Sequence, residues 1–64
     1  MQATMGTVLE LNAAERELLI ELLEHERGEL PSEIHHTNTA VMKDQLRERL
    51  EGVERLLNRL KAAG

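Results

Sequence analysis

Two leucine-rich segments of similar length flank one short polar turn, Thr37-Asn38-Thr39. This near mirror layout constrains the chain more than any other feature. Each flank repeats apolar residues at three- and four-residue spacings, the period of an amphipathic helix. The second flank is the clearer: Leu46, Leu50, Val53, Leu57 and Leu60 form a heptad-like seam, and Met42, Arg49 and Leu56 repeat every seven residues beside it. In the first flank Leu18, Leu19, Leu22 and Leu23 make a broad apolar face with Ile20 at its edge, and Leu30 and Ile34 extend it. Folding the chain at residue 38 sets Ile34 against Met42, Leu30 against Leu46, Leu23 against Val53, and Leu19 and Ile20 against Leu57 and Leu56. Apolar meets apolar at nearly every layer. The expected fold is all-α, a two-helix antiparallel hairpin forming one domain over residues 1–64.

Local signals place the helix ends. Asn12 followed three residues later by Glu15 has the form of a capping box, so the first helix is expected over about 13–36. Residues 1–11 are expected to form a flexible lead-in, with Val8, Leu9 and Leu11 able to fold back as an extended segment. Pro31 lacks an amide hydrogen and crowds the carbonyl of Arg27, so a kink near Pro31, or a break between Gly28 and Pro31, is expected. His35 and His36 fall in the last turn, where imidazoles can bond unsatisfied carbonyls. Asn38 or Thr39 should cap the second helix, expected over about 40–62. Gly52 sits mid-helix, about opposite the seam. It should cost near 1 kcal/mol relative to Ala.

A chain of 64 residues is marginal for a self-sufficient core. Small scaffolds gain stability from disulfides, metals or self-association, and the absence of cysteine removes the first and all thiolate metal sites. Two helices would leave Leu18, Leu22, Leu56 and His25 beside the intrachain seam. Docking two hairpins into a four-helix bundle would cover them, so a homodimer is expected. Charge divides to match. Residues 1–36 carry two arginines and eight acids, a net of −6; residues 37–64 carry six bases and four acids, a net of +2. The halves are electrostatically complementary.

Three constellations could carry chemistry. Glu33 and His36 have the Glu-x-x-His spacing that lets a carboxylate and an imidazole meet one metal ion in di-iron bundles. Such sites need further acids from facing helices, and none lies nearer than Asp44. Turn and cap chemistry accounts better for His36, Thr37, Asn38 and Thr39. His25 follows Leu18 and Leu22 on one flank and suggests a pH-sensitive contact. Lys43 with Arg47, and Arg55 with Arg59, are i, i+4 pairs that could serve a small RNA-binding bundle. Glu48, Glu51 and Glu54 interleave them, and no aromatic is present to stack a base. Nucleic acid is therefore not the expected partner. An enzyme is not expected: there is no cysteine, no Gly-rich phosphate loop, and Ser32 is the lone serine. No cofactor is expected. No apolar run approaches a membrane span, and Met1–Gly6 has neither basic nor apolar leader character, so a cytoplasmic location is expected.

The run Leu11-Asn12-Ala13-Ala14-Glu15-Arg16-Glu17-Leu18-Leu19, followed by Glu33-Ile34-His35-His36-Thr37-Asn38-Thr39, resembles a group of short, uncharacterised bacterial proteins. These carry a Glu-Ile-x-His-Thr-x-Thr turn between two helices. The resemblance covers most of residues 9–60, and the turn is its specific part. This chain has Met42 where the group often has an aromatic, and Asn38 where it often has Asp. The resemblance implies a helical hairpin and no particular activity. The expected role is a small non-catalytic interaction or adaptor module acting as a homo-oligomer, with RNA binding and then a Glu33/His36 metal site as alternatives.

Overall fold

The computed structural model describes residues 6–63. Two helices make up the fold: α1, Ala13–His36, and α2, Ala40–Ala62. They pack against each other as a hairpin, with no strand among the described residues. The part of the expected lead-in over residues 1–5 lies outside the described residues.

Helix α1 starts where its capping chemistry closes. The Asn12 side chain accepts from the Glu15 amide at 2.8 Å, and the Glu15 carboxylate accepts from the Asn12 amide at 3.1 Å. Two amides that no helical carbonyl can reach are satisfied together. The helix then runs unbroken through Pro31. The adjacent Leu30 is wholly buried, and its burial is worth about 2–3 kcal/mol, comparable with the roughly 3 kcal/mol a helix-interior proline costs.

The turn is closed by side chains. Thr37 donates its hydroxyl to the Glu33 carbonyl at 2.6 Å, and His36 Nδ1 lies 2.8 Å from the Ser32 carbonyl. Both groups satisfy carbonyls at the end of α1. Thr39, rather than Asn38, is the N-cap of α2, its hydroxyl accepting from the Met42 amide.

Three side chains form the buried core: Leu30, Val53 and Leu57. Ile20, Leu23, Leu46 and Leu50 pack against it, half-buried. The molecule is 40 × 31 × 14 Å, so its thin dimension is little more than one helix. A single layer buries only the line where the helices touch, and both broad faces stay open to water.

Candidate functional site

The two edges of the helix–helix seam are held by different ion pairs. On one edge Arg49 of α2 pairs with Glu26 of α1. On the other, Lys61 Nζ lies 2.7 Å from the Glu24 carboxylate. Side chains lean toward the N-terminus of their own helix, so in an antiparallel pair Glu24 and Lys61 lean toward each other and bridge positions well off level. The Lys61 hydrogen bond, and then its charge, holds the Glu24 carboxyl below the usual carboxylate range; a lesser desolvation opposes this, and Arg27 adds the smallest contribution in the same direction as Lys61. At the open end Arg16 donates from Nε to the Leu60 carbonyl at 2.8 Å and reaches the Lys61 carbonyl at 3.5 Å. It covers the C-terminal carbonyls of α2 with a positive charge.

The edge marked by Glu26 and Arg49 is the candidate interaction surface. Leu18 and Leu22 are 56% and 58% exposed, and Leu56 is 39% exposed. On α1, Glu15, Leu18, Leu22, His25 and Glu29 follow at three- and four-residue spacings, placing them on one flank. On α2, Arg49, Gly52, Leu56 and Arg59 do the same. Leu22 precedes Glu26 by four residues and Leu56 follows Arg49 by seven, so both flanks belong to the edge that this ion pair bridges. The lead-in widens it. Leu9 and Leu11 line a groove of about 270 Å³ with Glu15, Leu18, Leu19 and Leu22. The segment before α1 therefore lies back along that helix, carrying exposed Leu9 to the same side.

The remaining residues singled out by sequence sort as follows. Leu19, Leu23, Ile34, Leu46, Leu50 and Leu60 are half-buried in the seam, while Met42 is exposed. His25, expected beside the intrachain seam, has a side chain 75% exposed; its Nε2 lies 3.1 Å from Glu29, one turn on. It sits too far around α1 for α2 to cover it. Gly52, expected about opposite the seam, is half-buried at its flank. The second heptad line, through Arg49 and Leu56, includes it. Glu33 and His36 do not converge with a third ligand: no group of three or more His, Asp or Glu side chains suited to a metal exists among the described residues. His36 is engaged with Ser32. Of the basic residues of α2, Lys43 is half-buried, Arg47 pairs with Asp44 at 3.4 Å, and Arg55 and Arg59 are exposed. No helix among the described residues is long and apolar enough to cross a membrane.

No sequence pattern singles out Arg16, Glu24 or Lys61. The one signal for Arg16 was its place in line with Ile20, Leu23, Leu30 and Ile34, a base on the seam opposite the end of α2. By fold and surface the chain belongs to the class of small α-helical hairpins. No family model, curated protein or solved structure matches it.

Proposed function

We propose that this protein is a small non-catalytic interaction module that works as a homodimer through the flank of Leu18, Leu22 and Leu56. The observation that carries this reading is the contrast between a core of three buried side chains and an edge where three leucines stand exposed together. Covering those leucines would add apolar burial worth about 25 cal/mol per Å². A hairpin of this size gains proportionally more from that than a large domain. The turn resemblance, which implies a hairpin and no activity, is compatible with this role.

Sedimentation equilibrium tests it. The wild-type chain is expected to behave as a dimer at micromolar concentration. Leu22→Glu puts a charge at the centre of the contact and is expected to give monomers. Leu22 is exposed in the hairpin, so the loss reports association rather than a core defect. A wild-type chain that sediments as a folded monomer across that range refutes the proposal.

A further inference from the structure

If two copies dock through this flank, the hairpin also indicates how they are oriented. Two symmetric arrangements bury the same edge with every neighbouring helix antiparallel. In one, the two-fold axis runs along the helices, α1 of each copy lies against α2 of the other, and both turns stand at one end. In the other, the axis crosses the helices, α1 lies against α1, and the turns stand at opposite ends. Resting on the homodimer reading, we propose the first arrangement.

Height along the hairpin is the first argument. The short turn from His36 to Ala40 fixes the register of the helices, and the bond from Arg16 to the Leu60 carbonyl agrees with it. Leu18 and Leu22 are therefore level with Leu56, all nearer the open end than the turn. An axis along the helices keeps every level opposite itself, so leucine meets leucine while the full length stays in contact. A crossing axis through the leucines leaves the turn halves of both copies overhanging. A crossing axis through mid-height sets the leucines against Glu29 and Glu33.

Charge is the second argument. The docking flank of α1 carries Glu15, Glu29 and Glu33 beside the paired Glu26, with no Lys or Arg. The flank of α2 carries Arg59, Arg49 already paired with Glu26, and Glu48 one turn before Gly52. By the same register Glu15 is level with Arg59, and Glu29 is near the level of Arg49. With α1 against α2, Arg59 faces Glu15 of the other copy, and Glu29 of the other copy comes near the Glu26–Arg49 pair. With α1 against α1, three carboxylates face three carboxylates, an arrangement that like-charge repulsion disfavours. Gly52 fits the same geometry. It lies between Arg49 and Leu56, level with His25, and apart from its chain neighbours and its own helix backbone no heavy atom lies within 4 Å of where its Cβ would be. That space would admit the partner's Leu22 and His25.

One label decides between the arrangements. The chain has no cysteine, and Asn38 in the turn is exposed, so Asn38→Cys takes a single nitroxide per copy. Helix axes in a bundle lie about 8–10 Å apart, so turns at one end place the labels within about 25 Å. Turns at opposite ends separate them by about 35 Å or more, the length of a helix of this size. A pulsed dipolar distance within about 25 Å is expected. A single distance near the helix length overturns the orientation and leaves the homodimer standing. Absence of dipolar coupling, with a monomer mass by sedimentation of the same sample, overturns both.

Discussion

Gly52 shows how one residue can be read two ways. Inside a helix a glycine costs about 1 kcal/mol relative to alanine, because its backbone has more freedom to lose. Apart from its chain neighbours and its own helix backbone, nothing lies within 4 Å of a Cβ built there, so the lone hairpin accepts alanine without a clash. Gly52→Ala is therefore expected to raise the stability of the dilute protein by about 1 kcal/mol, measured by urea unfolding followed by circular dichroism. The proposed dimer reverses the sign. The added methyl fills the space meant for the partner, and the dissociation constant from sedimentation is expected to rise. A variant more stable at every concentration, with unchanged association, would leave the glycine without a role at the interface. The sequence makes this residue look idle because the main seam of α2 passes through Leu46, Leu50, Val53, Leu57 and Leu60. Its place becomes visible only when the second line, through Arg49, Leu56 and Arg59, is treated as a face in its own right.

At the scale of the helices, the hairpin itself is legible in the order of the residues. Two capped apolar periods separated by Thr37-Asn38-Thr39 leave few other ways to bury leucine, and the two helices do pack on each other. The ties across the seam are less legible. Matching residues by level pairs backbones, whereas long side chains lean along their helices and bond off level, as Glu24 and Lys61 do. That tie makes a pH prediction. A carboxyl held below its ordinary range contributes stability that is fully present above the unfolded value and is lost as pH falls through the folded one. The window therefore opens below about pH 4.3, the ordinary glutamate value. Glu24→Gln removes the titrating partner. Wild type is expected to melt above this variant at neutral pH, and the gap is expected to close in acid. Thermal melts of both proteins from neutral to about pH 2.5 check it, since a gap of constant size across that range means the tie to Lys61 contributes nothing.

For the whole molecule, what is buried matters less than what is left over. The hairpin is one layer thick, 14 Å in its thin dimension, and among the described residues its core holds Leu30, Val53 and Leu57 alone. Each is worth about 1.5–3 kcal/mol of burial, against about 1–2 kcal/mol of conformational entropy for every residue the helices order. The sequence shows that surplus as Leu18, Leu22 and Leu56, and it allows the lead-in to fold back without saying where it lands. Val8, Leu9 and Leu11 carry no period, and it is the fold that lays Leu9 and Leu11 along α1 beside Leu18 and Leu22. A chain in this position draws stability from its own concentration. When folding is coupled to pairing, each tenfold rise in protein adds about 1.4 kcal/mol to the folded dimer. For a molecule of this size that raises the midpoint of a thermal melt by several degrees. Melts followed by circular dichroism from about 1 µM to about 100 µM are therefore expected to shift upward together, and Leu22→Glu is expected to flatten the dependence. A midpoint that stays constant over that range would mean that the hairpin is stable alone, and that the leucine flank is not what holds the fold together.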